Sequence, residues 1–316
     1  MDLTNDIQQD PGGAEVWRGS VNAWECDHMG HMNVRFYGAR AMEGMVGLTD
    51  ALDMPGAFHA NANATVIVKE QHIRFLREAR AGAPLHMVAG VLEMTDSEAR
   101  VLQLIIHSNT GELAAGIQSL VSHVTAREER PFAWSARARA RAQALAIAMP
   151  ERAAPRSLAI DTRPGVATLA EADRLGLVRL SAGAISAQDC DVFGRMRPEM
   201  FIGRVSDGVP VMAATFRGGG PAGRPANVGG AVIEYRLAHR AWPRAGDRFE
   251  VRSGLADVDA RSQKVVHWML DPVTGDAWGT AEAIAVALDL NARKMIPNSD
   301  ADQASMRGRI TPGLTM

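Results

Sequence analysis

Cysteine is nearly absent from this chain: among 316 residues there are only Cys26 and Cys190. That excludes a disulfide-stapled scaffold, and a single bridge would need the two Cα atoms within about 7 Å. Two reduced, partly buried thiols are the plainer reading. Cys26 is also poorly placed as a nucleophile, because a reactive thiol needs a cationic neighbour and Glu25 and Asp27 flank it. A dominant sign of charge is lacking too. A formal net charge of −2 gives no pull toward nucleic acid or an anionic membrane. No apolar run approaches the roughly 18 residues of a membrane span. The polar, acidic start MDLTNDIQQDPGG does not read as a signal peptide, so a cytoplasmic location is expected. Asp27, His28 and His31 invite a metal, but no second ligand cluster at standard spacing joins them. Neither metal nor cofactor is expected.

What is present is an ordinary globular composition, 47% hydrophobic and 22% charged, in a chain long enough for two domains. A repeat supports that number independently. Glu25-Cys26-Asp27-His28-Met29-Gly30-His31-Met32-Asn33 returns as Asp189-Cys190-Asp191-Val192-Phe193-Gly194-Arg195-Met196-Arg197, at an offset of 164. The same offset pairs Gly19 with Gly183, Arg40 with Arg204, Gly44 with Gly208, Glu70 with Glu234 and Thr110-Gly111 with Thr274-Gly275. The chain is a tandem duplication.

Each copy reads alike. A short strand (16–24; 178–188) leads into the acidic loop, and a helix over 33–52 follows, with Val34, Tyr37, Ala41, Met45 and Leu48 near the helical period. Pro198 marks the helix start in the second copy. After a Gly/Pro/Asn-rich loop come four strands: 65–76, 85–93, 100–108 and 113–124, then 231–241, 248–255, 264–270 and 278–288. Turns at Asn109-Thr110-Gly111 and Val273-Thr274-Gly275 join the last two of each set. One long helix before a run of antiparallel strands predicts an α+β fold, a sheet wrapped around the helix. The expected bounds are 14–125 and 177–290 for the domains, with an Ala/Arg-rich linker over 126–176, read as a connecting helix plus mobile segments, and a disordered tail over 297–316. Gly218-Gly219-Gly220 reads as a flexible loop or lid, since it lacks the strand–GxxxxGK–helix setting of a phosphate loop.

Asp27 falls where a strand meets a helix N-terminus, a place with unsatisfied N–H groups and partial positive charge. Gly30 lets a carbonyl approach closely, so the Gly30 and His31 amides form a possible oxyanion site. A carboxylate beside it can act as general base or nucleophile, with His31 and Asn33 orienting water or the acyl group. That combination suits acyl transfer. The bland alternative is that Asp27 is only an N-cap, worth about 1 kcal/mol.

Asp27-x-x-Gly30-His31-x-Asn33-x-x-x-Tyr37, then His72-Ile73-Arg74-Phe75-Leu76 ahead of Ala81-Gly82, resembles the hotdog-fold thioesterases. The similarity is to their 4-hydroxybenzoyl-CoA thioesterase-like branch, in a tandem double-hotdog form pairing as an internal pseudo-dimer. The resemblance implies hydrolysis of an acyl-CoA thioester without metal or cofactor. Asp27 would be the catalytic carboxylate, Gly30 the oxyanion donor, His31 and Asn33 polar orienters, and Tyr37 a packing residue. The second copy keeps Asp191 and Gly194 but has Arg195 and Arg197 for the histidine and asparagine. Either these two suffice for a second site, or the copy is silent, its arginines holding CoA phosphates or the acyl head group, or merely pairing with Asp189, Asp191 or Glu199. One working site is the preferred reading. Glu70 and Arg74 are further substrate-binding candidates, and Arg77, Arg80 and Arg244 are potential phosphate partners. Homo-oligomers of the pseudo-dimer fit the family. The competing functions are an acyl-CoA-binding or sensor module without catalysis, and a hotdog enoyl-CoA hydratase, whose D-x-N-P-x-H spacing this loop lacks.

Overall fold

A computed structural model describes residues 11–160, 165–217 and 227–316, in two compact units, Met1–Pro155 and Arg156–Met316. The first unit runs β1 (Ala14–Ser20), α1 (Val34–Ala51), β2 (Ala64–Phe75), β3 (Pro84–Met94), β4 (Glu98–His107), β5 (Leu113–Thr125) and α2 (Ala136–Ala144). Its strands are antiparallel in the order β1-β3-β4-β5-β2. The predicted helical face is the buried one: Tyr37, Ala41, Met45 and Leu48 are each at most 4% exposed. Met45, Leu48 and Leu52 share a core with Val66, Val68, Ala89, Val91, Val101 and Val121 of the sheet. Gly44 makes that packing close, since a Cβ there would stand 2.3 Å from the Met87 sulfur. Its counterpart Gly208 comes equally near Leu180, whose Cβ would be 2.6 Å away.

The second unit repeats the plan. It runs α3 (Leu169–Arg174), β6 (Val178–Ala184), α4 (Glu199–Asp207), α5 (Val209–Arg217), β7 (Val228–His239), β8 (Arg248–Val258), β9 (Ser262–Leu270), β10 (Ala277–Asp289), β11 (Lys294–Ile296) and α6 (Asp300–Arg307). Its sheet order is β6-β8-β9-β10-β7, with β11 added to β10. This is the expected α+β hotdog architecture twice over, a sheet around a helix, although the second helix divides into α4 and α5 at Gly208.

Two expectations need correction, the strand ends and the tail. Strand β1 stops at Ser20 and β6 at Ala184, because Asn22 and Ser186 each open a short helical turn closed by the side chain three residues on. The Ala/Arg-rich stretch holds a helix, as read from its composition: Ser135 caps α2, which buries Ala138 and Ala142, while Arg137 and Arg139 pair with Asp53 and Asp96. The tail is not disordered: Ser299 caps α6, and Met306, Leu314 and Met316 are buried. Three widely spaced apolar anchors sufficed where the composition was polar. Gly218-Gly219-Gly220 lies outside the described residues. Among the described residues no helix is long and apolar enough to cross a membrane.

Candidate active site

The acidic loop is a five-residue turn closed by a short ladder. The Asp27 N–H donates to His31 O at 3.0 Å, Cys26 bridges Met32, and the Asn33 N–H donates to Glu25 O at 2.8 Å. Gly30 takes φ +78°, which only glycine adopts freely, and its N–H closes the turn onto Asp27 O at 2.9 Å. Residues 27 and 31 therefore face each other. Their side chains meet, with His31 Nδ1 3.4 Å from Asp27 Oδ2, at 14% and 16% exposure. Asp27 Oδ1 accepts the Met29 N–H at 2.8 Å. The other ring nitrogen, His31 Nε2, is buried with no hydrogen-bond partner among the described residues.

The helix cap is Asn33, not Asp27. Asn33 Oδ1 accepts the Arg35 N–H at 3.0 Å, and Asn33 O accepts the Phe36 N–H at 2.9 Å. This answers the bland reading of Asp27, whose carboxylate is folded onto its own turn. It also corrects two expected roles. Asn33 gives its side-chain oxygen to α1, and the Gly30 amide is spent on the turn. Among the described residues the amides of His28, His31 and Val34 meet no acceptor; His28 is exposed, and those of His31 and Val34 lie toward α1. Tyr37 packs, as expected. Its ring meets Phe75 edge-on at 5.2 Å, and burial pushes its phenol pKa upward against a hydrogen bond from the Ala79 backbone.

The second copy has the same backbone. The Asp191 N–H donates to Arg195 O at 2.7 Å, the Gly194 N–H to Asp191 O at 3.0 Å and the Arg197 N–H to Asp189 O at 2.9 Å, with Gly194 at φ +78°. Its side chains differ. Asp191 Oδ1 accepts from the Phe193 and Arg195 amides at 2.9 and 3.0 Å. Asp191 Oδ2 accepts Nε and Nη2 of Arg195, itself only 3% exposed. Four donors fill both oxygens. Arg197 turns to Gln188 O at 3.0 Å and to Glu199 at 3.4 Å. Both arginines are thus engaged inside their own unit, the pairing alternative weighed above.

The remaining residues lie on other elements. Glu70 is half-buried beside the bulge of β2, and Arg74 is buried near the end of that strand. Glu234, the counterpart of Glu70, is fully buried and accepts the amides of Arg156, Ser157 and Leu158 at 2.9–3.2 Å. Arg77 and Arg80 form exposed pairs with Glu112 and Glu78, and Arg244 donates to Phe193 O. Two residues near the hairpin were not singled out from sequence. Buried Glu25 grips Arg40. Arg35 lies over the Phe36 ring at 5.4 Å with no ion pair among the described residues. The pairing of Arg40 with Arg204 across the repeat was the available signal for the first; Arg35 carried none.

Known proteins match this architecture. A protein assigned as an oleoyl thioesterase from Lactobacillus plantarum superposes with a TM-score of 0.65 at 12% identity, covering 90% of this chain and 98% of its own. The 12:0-ACP thioesterase of Umbellularia californica gives 0.62 at 11%, covering 86% and 93%. An acyl-ACP thioesterase from Bacteroides thetaiotaomicron gives 0.59 at 11%, covering 85% and 96%. At such identities the likeness is one of fold. No curated protein matches the sequence significantly. The family model of the thioesterase-like superfamily matches residues 21–148 and again 185–305, most of the chain, and to that superfamily the chain belongs.

Proposed function

We propose that this chain hydrolyses acyl-CoA thioesters to free acid and CoA at one site, centred on Asp27. Membership of the thioesterase-like superfamily sets the reaction class as thioester hydrolysis. The observation that carries the assignment to Asp27 is the contrast between the two hairpins. Asp27 has one amide and one facing histidine, whereas Asp191 has all its acceptor positions filled.

In this reading Asp27 acts as general base. It takes a proton from a water whose oxygen attacks the thioester carbonyl carbon. Negative charge gathers on the carbonyl oxygen, and the amides of His31 in the turn and Val34 at the start of α1 receive it. The C–S bond then breaks, and the proton held by Asp27 passes to the departing thiolate. His31, fixed opposite the carboxylate, orients it through Nδ1. Nothing in these steps draws on a metal or cofactor.

The test is release of free thiol from a panel of short, aromatic and long acyl-CoAs, by wild type and Asp27→Asn. The variant is expected to lose about 10²- to 10⁴-fold in kcat. Normal turnover by Asp27→Asn overturns the mechanism. Binding of every acyl-CoA with release from none would make the chain a binding module instead. Because two proteins of similar fold are acyl-ACP thioesterases, the same acyl groups on acyl carrier protein test the choice of carrier.

A further inference from the structure

Glu25 is 2% exposed and has its oxygens engaged. Oε2 accepts the Asn22 N–H at 2.7 Å and Asn22 Nδ2 at 3.2 Å, and Oε1 accepts the Arg40 guanidinium. Its main-chain oxygen accepts the Asn33 N–H that closes the base of the hairpin. Arg40 stands two turns along α1, pairs also with Glu43 at 2.6 Å, and lies over the Trp17 ring at 5.2 Å. One buried carboxylate thus joins the approach from β1, the foot of the hairpin and the side of the helix. Asp27 and the receptive His31 amide sit at the tip of that hairpin, and the receptive Val34 amide sits at the start of the same helix.

The second unit contains the same brace built from other residues. Asp189, 3% exposed, accepts the Ser186 amide and hydroxyl at 3.1 and 2.7 Å and Arg204 at 2.7 Å. Arg204 lies over Phe249 of β8 at 5.2 Å, whereas the shelf for Arg40 is Trp17 of β1. Acid, cap and aromatic shelf all differ, yet the foot of the hairpin closes equally, at 2.8 and 2.9 Å. The geometry has a second working recipe, and the chain carries it beside a carboxylate that Arg195 has locked.

We infer that Glu25 is the positioning residue for Asp27: through Arg40 and Asn22 it fixes the hairpin against the start of α1. This rests on the Asp27 reading above, and the second unit supplies its control. A residue that only stabilises the fold would change melting behaviour alike in both units and leave the kcat of folded protein alone. A positioning residue changes kcat in one unit only.

The experiment measures kcat, KM and thermal melting for Glu25→Gln, Asp189→Asn, and the double variant Asn22→Ser/Glu25→Asp, which transplants the brace of the second unit. Glu25→Gln is expected to lower kcat about 10- to 100-fold with KM little changed. Asp189→Asn should lower the melting temperature and leave kcat unchanged, and the double variant should retain most of the wild-type kcat. Wild-type kcat in folded Glu25→Gln overturns the inference. So does a double variant as slow as Glu25→Gln, or an Asp189→Asn as slow as either. Should Glu25→Gln fail to fold, Arg40→Lys is read in its place and is expected to lower kcat at unchanged KM; a normal kcat there also overturns the inference. Asp27→Asn is run alongside. If it retains turnover, the reading of the site has failed; if it is dead while Glu25→Gln is normal, only the brace has.

Discussion

Arg195 lies across the hairpin from Asp191 and brings two nitrogens onto one carboxylate oxygen, Nε at 3.0 Å and Nη2 at 2.9 Å. His31 occupies the same place opposite Asp27 and approaches only to 3.4 Å. The residue at the facing position separates a carboxylate with open acceptor positions from one whose positions protein donors fill. Asp191→Asn is therefore expected to leave thiol release within about twofold of wild type once corrected for folded fraction. It should still lower stability by about 2 kcal/mol, because buried Arg195 loses its counter-charge. Urea unfolding and turnover assays on the same preparation check both halves. A loss of turnover beyond tenfold would establish a second working site.

Gly30 and Gly194 share φ +78°, and neither would clash with an added methyl: nothing lies within 4 Å at Gly30, and only Arg244 Nη1 at 3.6 Å at Gly194. Alanine at either position should cost a similar 1–2 kcal/mol or so, from the left-handed backbone alone. Their effects on turnover should differ. In the proposed mechanism the acyl group reaches Asp27 over this open space, so Gly30→Ala is expected to lower kcat/KM at least about tenfold, while Gly194→Ala leaves it unchanged. Thermal melts matched with steady-state kinetics separate the shared cost from the unshared one.

Much of this was legible because a duplicated chain is its own alignment. The offset singled out the acidic loop with Asp27 and Gly30, alternation and β-branching gave the strands, and the 3.6-residue period gave the buried face of α1 with Tyr37. Hydrogen-bond assignments were hidden. That residues 27 and 31 face each other follows from the Cys26–Met32 bridge, a backbone relation that no residue type announces. Asn33 and Asp27 are both good caps, and only the turn geometry decides between them. Glu25 escaped because its partner Arg40 is fifteen residues away and its counterpart is the shorter Asp189. The buried tail escaped because Met306, Leu314 and Met316 are too sparse to register as a pattern.

Glu234 shows why a carboxylate kept in both copies need not be catalytic. It accepts three consecutive amides, from Arg156, Ser157 and Leu158, and so clamps the start of the second unit onto β7. Glu234→Gln keeps the shape but loses the charge on the acceptor, at an expected cost of about 1–3 kcal/mol. The kcat of the folded fraction should not change. Hydrogen exchange at the amides of 156–158 should speed up before global unfolding, which locates the effect at the clamp.

His86 and His123 in the first unit have pKa values lowered by burial, but the large histidine shifts are in the second. Burial lowers the pKa of His239 to about 4 and that of His267 to about 3, against an ordinary 6.5. Both are neutral in the folded chain at pH 5, while in the unfolded chain both are largely protonated. Unfolding then takes up protons, so stability is full above about pH 6.5 and falls as pH drops toward the folded values. Between pH 6.5 and 5 the loss is on the order of 2 kcal/mol for each histidine. The counterpart of His267 in the first unit is Gln103, which cannot titrate and donates from Nε2 to Ala41 O at 2.6 Å. His267→Gln should therefore lower the stability at neutral pH, because Ser253 loses its 2.6 Å partner, while flattening the pH dependence by one proton. Denaturant unfolding at pH 7 and pH 5 gives the slope directly. An unchanged slope in the variant would mean that His267 does not carry the linkage.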